Sequence, residues 1–148
     1  MDSPDPDGLL AEQLLRLTRR LQRIQSRQLE PIDITPAQFR LLRTVAHYED
    51  PPRMADLAQR LDVVPRAVTT LVDGLEANDR VRRVPDPTNR RVVRIEITEG
   101  GRATLRSLRN ARKAAAEEIL APLTAEQREV LGGLLTALVD GMPERRRC

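Results

Sequence analysis

Cysteine is nearly absent from this sequence, because its single cysteine, Cys148, is the last of 148 residues. One thiol cannot form an internal disulfide framework or a zinc site made of cysteines, and this composition suits a reducing compartment. Aromatic residues are equally scarce, with only Phe39 and Tyr48, so the core has to be built from leucine, valine and alanine. No apolar run approaches the roughly 18 residues of a membrane span.

Signals for export and for enzyme chemistry are missing as well. The first eight residues, MDSPDPDG, are acidic and lack the basic start of an export signal. We therefore expect a cytoplasmic protein without a membrane partner. The sequence contains no glycine-rich phosphate loop, no metal-spaced set of His and Cys, and no nucleophile beside a base, and its single histidine, His47, has no evident partner. These absences argue against an enzyme and against a cofactor.

Positive charge is concentrated in one segment of the chain. The formal net charge is only +3, and all basic residues except Lys113 are arginines. Residues 80–94 contain six arginines and a single acidic residue, Asp86, which gives this segment a local charge of +5. Such a local electropositive patch is typical of a surface that meets nucleic acid.

Apolar spacing predicts helices at both ends of the chain. Apolar residues recur every three or four positions at Leu10, Leu14, Leu17, Leu21 and Ile24, and a broader apolar stripe runs from Val130 to Met142. We expect a single chain, 1–148, whose helices at 9–30 and 102–142 carry more apolar surface than a small core can cover. A second copy of the chain is the simplest cover, so these segments are predicted dimerisation helices.

Residues 57–71, LAQRLDVVPRAVTTL, have the pattern of a helix-turn-helix. The small Ala58 lies where the two helices would cross, and Asp62 occupies the turn position where glycine is commonest. Asp tolerates a left-handed backbone, so the turn remains feasible. In a helix-turn-helix the second helix lies in the DNA major groove. The alternative is an ordinary helical hairpin.

A basic hairpin is predicted directly after this motif. Val93, Ile95 and Ile97 alternate with Arg94 and Glu96, which indicates a strand with one buried and one charged face, and PDPTN supplies the turn. A basic hairpin in this place would act as a wing that carries Arg90 toward a minor groove, whose negative potential favours a guanidinium. The alternative for these arginines is a solvated sheet face.

The stretches ITPAQFRLLRTVA, LAQRLDVVPRAVTTLVDGLEANDRV and DPTNRRVVRIEITEGG resemble the MarR family of winged-helix transcription regulators over about residues 35–101. The resemblance implies a mainly α fold with a small β-hairpin wing, and a homodimer that binds double-stranded DNA at a palindromic operator. It further implies a repressor that is released by a small aromatic or anionic effector. The alternatives are a helical protein-interaction adaptor without specific DNA binding and an oxidation-sensing regulator that uses Cys148.

The same resemblance implies a set of DNA contacts on the recognition helix, on the wing and just before the helix-turn-helix. Its members are Arg53, Pro65, Arg66, Ala67, Thr69, Thr70, Asp73, Asn89, Arg90 and Arg91. In this set Arg66 would take a guanine edge, and Arg90 would be the wing-tip residue. For the effector the resemblance implies Arg16, Phe39, His47 and Tyr48.

Three positions depart from the family pattern. Asn89 replaces the aspartate that orients the wing arginine, and its side chain can still hydrogen-bond Arg90 but brings no charge. Val64 replaces a capping serine or threonine, which leaves the recognition helix without a side-chain cap. Asp79 and Arg80 replace a glycine and an apolar residue.

Overall fold

The computed structural model describes residues 5–142, which divide into two compact units. One unit contains residues 5–28 and 111–142, and the other is Leu29–Asn110. The elements in chain order are α1 (Pro6–Leu29), a 3-10 turn (Glu30–Ile32), α2 (Pro36–His47), α3 (Met54–Leu61), α4 (Pro65–Ala77), β1 (Val81–Pro85), β2 (Val93–Ile97), α5 (Glu99–Leu120) and α6 (Ala125–Asp140). The fold is mainly α with one hairpin, which confirms the fold predicted from the sequence.

Side-chain caps fix where two of the helices begin. The Gln38 N–H donates to the Thr35 hydroxyl at 3.1 Å, and the Thr35 N–H donates back to the Gln38 side chain at 3.1 Å. Thr124 and Gln127 form the same reciprocal pair at the start of α6. Each pair satisfies two backbone N–H groups that a helix start leaves unpaired. By contrast α4 begins after Val64 with no side-chain cap.

The unit Leu29–Asn110 has a core made almost entirely of aliphatic side chains. Buried residues of α2, α3, α4, the hairpin, the first half of α5 and the segment just before α2 pack together, and they are Ile34, Leu41, Leu42, Val45, Leu57, Ala58, Leu61, Val68, Val72, Leu75, Val81, Ile95 and Leu108. Fully burying one such leucine or valine contributes about 1.5–3 kcal/mol. This core holds α3 and α4 in a helix-turn-helix, and Asp62 in its turn is left-handed with φ 54°.

The two strands form an antiparallel ladder from Val81 opposite Ile97 to Pro85 opposite Val93. One predicted feature is wrong: Ile95 is fully buried, but Val93 is 37% exposed. Val93 pairs with exposed Pro85 at the end of the ladder nearest the turn, beyond the cover of the helices. The Ile95 N–H also donates to the Pro52 carbonyl at 2.8 Å, which fastens β2 to the segment that precedes α3.

The exit from the hairpin packs closely on the turn that enters it. Asp79 is left-handed with φ 55°, which explains why glycine is usual there. The Thr98 hydroxyl donates to the Asp79 carbonyl at 2.5 Å. A Cβ on Gly101 would overlap the Arg80 carbonyl oxygen and lie 2.7 Å from the Ile97 side chain, so this close approach requires glycine.

The other unit contains most of α1, the second half of α5, and α6. Ile24 and Ala115 are buried there, whereas a large set of apolar side chains is between 48% and 68% exposed. They are Leu9, Leu10, Leu14, Leu15 and Leu17 on α1, and Val130, Leu134, Leu135, Leu138, Val139 and Met142 on or next to α6. Most of the two predicted apolar stripes is therefore uncovered, whereas Leu21 and Leu131 are half-buried and Ile24 is buried. Within residues 5–142 no helix is long and apolar enough to cross a membrane.

Candidate nucleic-acid interface

The recognition helix, α4, presents a polar face opposite its buried face. Arg66, Thr69, Thr70 and Asp73 are exposed, Pro65 is exposed at the first helical position, and Ala67 is half-buried. The Thr69 and Thr70 hydroxyls donate to the Pro65 and Arg66 carbonyls at 3.3 and 3.2 Å, so their oxygen lone pairs remain available as acceptors. Among the described residues no ion pair engages Arg66.

Arg83, on the first strand of the wing, forms ion pairs with two carboxylates of the recognition helix. Its guanidinium lies 2.6 Å from an Asp73 oxygen and 2.7 Å from a Glu76 oxygen. The hydrogen bond from Arg83 to Asp73 raises the pKa of Arg83, and Glu76 adds to the effect. Asp73 is thus an exposed member of the predicted DNA-contact set whose carboxylate also positions α4 against β1.

Asp86 organises the wing turn, residues 86–92. Its carboxylate is buried and accepts from the Thr88 N–H at 2.8 Å, the Thr88 hydroxyl at 2.7 Å and the Asn89 N–H at 3.1 Å. It also accepts from Arg94 Nε at 2.7 Å, and Arg53 lies 3.6 Å away. The Thr88 hydrogen bonds, followed by that from Arg94, hold the pKa of Asp86 well below its usual range. The carboxylate is therefore charged and fully engaged.

Four of the six arginines in residues 80–94 have hydrogen-bond or ion-pair partners within this chain. Arg80 is buried and donates to the Asp33 carbonyl at 3.1 Å and to the Ile32 carbonyl. Arg82 pairs with Glu96 directly across the ladder at 2.5 Å. With Arg83 and Arg94 also engaged, the basic patch is narrower than the sequence predicts.

Arg90 and Arg91 remain at the tip of the wing. Both are exposed, and among residues 5–142 neither guanidinium has a described ion pair or hydrogen bond. The Asn89 side-chain oxygen accepts the backbone N–H of Arg91 at 3.1 Å, and among residues 5–142 it has no described hydrogen bond to the Arg90 side chain. An asparagine that bonds its own backbone two residues on is a common turn device.

The residues predicted for an effector belong to both compact units, with Phe39, His47 and Tyr48 in the unit Leu29–Asn110. Phe39 and Tyr48 pack against the core, and the His47 ring nitrogen Nδ1 lies 2.7 Å from the Arg43 carbonyl oxygen. Arg16 is on α1 in the other compact unit, so the effector site stays a prediction. Cys148, the candidate redox residue, lies outside the described residues. Within 5–142 no group of three or more His, Cys, Asp or Glu side chains could hold a metal.

Sequence patterns missed four residues that position the interface: Arg80, Arg83, Asp86 and Arg94. Asp86 could have been found, because Asp followed by Pro and a hydroxyl residue is a recognisable turn signal. The partners of the three arginines lie on α4, in turns and in the segment before α3, and these contacts depend on how the elements pack, so no local pattern reveals them.

Comparison with known proteins gives one consistent result. The sequence model of the MarR family matches residues 34–93. The HTH-type transcriptional repressor MdtR of Bacillus subtilis is 30% identical over 124 residues, which cover 82% of this chain and 79% of that protein. The crystal structure of YusO from Bacillus subtilis is similar with a TM-score of 0.80 and 27% identity, over 95% of this chain and 100% of that one. A mutant of MarR from Escherichia coli complexed with operator DNA has a TM-score of 0.59 and 26% identity, over 93% and 99%.

A helix-turn-helix followed by a hairpin wing defines a winged-helix DNA-binding regulator. The chain belongs to the MarR family of transcription regulators. Its partner is DNA, and its class is that of regulators and not of enzymes. This family membership also favours a regulator over the helical adaptor that the sequence alone left open.

Proposed function

We propose that two copies of this chain bind a palindromic operator and repress transcription. The observation that carries the proposal is the distribution of charge: Arg66 on α4 and Arg90 and Arg91 at the wing tip are exposed cations that have no carboxylate partner among residues 5–142. The name of MdtR as a repressor and the operator complex of Escherichia coli MarR support the same function.

In this proposal the recognition helix α4 and the wing tip make different kinds of DNA contact. Arg66, in the first turn of α4, takes a guanine edge in the major groove, and Thr69 and Thr70 hold phosphates or a thymine methyl. Pro65, Ala67 and Asp73 line the same surface. Arg90 and Arg91 follow the minor groove, Asn89 shapes the turn beneath them, and Arg53 faces the backbone. Backbone contacts set orientation and base contacts set sequence preference.

The homodimer is proposed from the apolar faces of the unit that contains α1 and α6. A soluble monomer rarely exposes large contiguous apolar patches, yet Leu14, Leu135 and Leu138 are each 48–60% exposed. A second copy would cover these faces through segments 9–30 and 102–142, and residues 35–101 would form the DNA-binding region of each copy. Two-fold symmetry would then match a palindrome.

A small aromatic or anionic effector is proposed to release the DNA in the cytoplasm. Two recognition helices on one face of B-DNA must be about 34–36 Å apart, so a modest change in their spacing removes one contact. A ligand that binds near Phe39 and His47 acts only if it prefers one dimer shape, and a tenfold loss of operator affinity needs about 1.4 kcal/mol of such preference.

The test is a binding measurement with DNA from the region upstream of the gene that encodes this chain. We expect the protein to retard a palindromic fragment in the presence of excess competitor DNA, with two chains per palindrome. A fragment of equal length whose half-sites are scrambled is the control. Equal retardation of both fragments at every salt concentration would contradict a sequence-specific operator.

A further inference from the structure

A narrow basic groove lies between α2 and α3, within the unit Leu29–Asn110. Its volume is about 230 Å³, and it is lined by Arg40, Arg43, Thr44, His47, Arg60 and Leu61. No carboxylate is among these lining residues. The contrast with the wing is clear, because Arg82, Arg83 and Arg94 each meet Asp or Glu. In the described part of the chain none of the three groove arginines takes part in an ion pair.

The cations of this basic groove are held in place by uncharged partners. The Arg43 guanidinium lies 5.9 Å from the centre of the Phe39 ring, and the Arg60 guanidinium lies 5.9 Å from that of Tyr48. Phe39 and Tyr48 are the only aromatic residues of the chain, and each contacts one groove arginine. Cation–π contacts at such distances are favourable and leave the N–H donors of the guanidinium edge available.

The remaining three polar side chains of the lining, Arg40, Thr44 and His47, are oriented by backbone carbonyls, and the Thr44 hydroxyl donates to the Arg40 carbonyl at 2.8 Å. Arg40 donates to the Leu61 carbonyl at 3.4 Å, and His47 Nδ1 lies 2.7 Å from the Arg43 carbonyl oxygen. Nearby like charges repel, and a bound anion would remove that cost. The basic groove thus has the donors and the preorganised side chains of an anion site without an acidic partner in its lining.

We propose that the basic groove binds a phosphate group. A guanidinium edge offers parallel N–H donors that match two phosphate oxygens, and two arginines from different helices can bracket one phosphate. The volume is below the roughly 300–1,000 Å³ of sites for drug-sized molecules, and one or two phosphate groups fit within it.

Two sources can supply such a phosphate: a free phosphorylated molecule, or the backbone of bound DNA. The second source is geometrically reasonable because Arg60 and Leu61 end α3, directly before the turn at 62–64 that leads to the recognition helix. Binding of a free anion does not depend on the proposed operator function, because it can be measured without any DNA.

The first arm of the test uses inorganic pyrophosphate, the full-length protein and isothermal titration calorimetry in the absence of DNA. The Arg43→Gln, Arg60→Gln double variant should bind at least tenfold more weakly than the wild type. The control is Arg102→Gln with Arg109→Gln, which removes the same charge from exposed positions on α5 and should bind like the wild type. The Arg43→Lys, Arg60→Lys double variant keeps the charge, and its affinity for pyrophosphate should lie between those of the wild type and the Gln double variant. Circular dichroism and thermal unfolding establish that each variant is folded.

The second arm measures the salt dependence of binding to random-sequence DNA. If the basic groove holds the DNA backbone, the Gln double variant lowers the slope by about one to two per subunit, and bound DNA excludes pyrophosphate. If the occupant is a free molecule, the slope is unchanged while pyrophosphate binding is lost. The proposal is overturned if the wild type binds no pyrophosphate and the slope is the same for groove and control variants. The proposal is also overturned if the α5 control variant loses as much pyrophosphate affinity as the groove variant and lowers the salt slope of DNA binding by the same amount.

Discussion

Arg94 donates from Nε to Asp86 at 2.7 Å, and the same guanidinium donates from Nη1 to the Pro51 carbonyl at 2.7 Å. One side chain therefore joins the first residue of the wing turn to the segment that leads into α3. This contact fixes the wing relative to the helix-turn-helix and presents Arg90 and Arg91 beyond it. Arg94 thus positions the wing turn that carries Arg90 and Arg91, the two arginines proposed to contact DNA.

Replacing Asp86 with asparagine should test this arrangement. Asp86→Asn keeps the size of the side chain but leaves Arg94 without its charged acceptor. We expect a lower unfolding temperature and weaker DNA binding, measured by thermal unfolding and fluorescence anisotropy. The matched control is Glu96→Gln, which removes the carboxylate of the more exposed Arg82 pair and should change both little, because exposed ion pairs contribute little to stability. Equal effects of the two substitutions would contradict a special role for Asp86.

Acid stability should depend on the same carboxylate. The pKa of Asp86 is lowered in the folded protein, so below neutral pH the unfolded chain takes up the proton first. The stability contributed by Asp86 is fully present above its unfolded pKa of about 3.9 and is lost as the pH falls through the lower folded value. Wild type should therefore lose stability below about pH 4 more steeply than Asp86→Asn in urea titrations. Parallel curves for the two proteins would show that the group is not linked to folding.

The helices and the hairpin could be predicted because their signals are local. Thr35 and Thr124 are each followed by glutamine three residues later, and both form the reciprocal caps that this spacing predicts. Asp62 takes the left-handed turn that its position in the helix-turn-helix requires. The predicted lack of a side-chain cap at Val64 is also confirmed.

Which of the arginines have partners within the fold could not be predicted, because their contacts depend on how the helices, the hairpin and the turns pack against one another. Arg80 reaches carbonyls 47 and 48 residues earlier in the chain. Arg83 reaches α4 only because the hairpin folds back against that helix. A count of charge in residues 80–94 treats all six arginines alike, whereas the structure leaves only two at the wing tip without described partners.

Base and backbone contacts should be separable by two single substitutions. Arg66→Ala should cost about 1–3 kcal/mol per half-site on the operator and little on random DNA, because it removes a bidentate base contact. Arg90→Ala should weaken binding to both and lower the salt slope by roughly one per subunit. Arg82→Ala is the control, because it removes one arginine from the wing strand that already has a partner in Glu96. If Arg66→Ala and Arg90→Ala reduce binding to operator and random DNA by the same factor, the assignment of Arg66 to base contacts is wrong.

The molar mass of the protein in solution should show whether it forms the proposed dimer. Interfaces of this kind commonly bury more than about 2,000 Å² in total. Light scattering at micromolar concentration should give about twice the chain mass of 16.7 kDa. Leu17→Asp with Leu135→Asp places charges on both exposed apolar faces and should yield an aggregated or unfolded chain. Thr18→Asp with Thr136→Asp adds the same charge one residue further along the same helices and serves as the control. A wild-type protein with the mass of one chain would contradict the dimer.

A threonine at position 64 should stabilise the start of the recognition helix. Val64 has φ −68° and ψ 147°, the backbone of an N-cap, and its side chain is 66% exposed, so Val64→Thr loses no core packing. The new hydroxyl can accept an N–H from the first turn of α4, which is worth about 0.5–2 kcal/mol. Such a gain raises the unfolding temperature by roughly 2–4 °C per kcal/mol at fixed protein concentration. Thr124→Val removes a cap of the same kind from α6 and should shift the temperature in the opposite direction. No shift for Val64→Thr would mean that the existing bond from the Ala67 N–H to the Val64 carbonyl, at 3.0 Å, already satisfies the helix start.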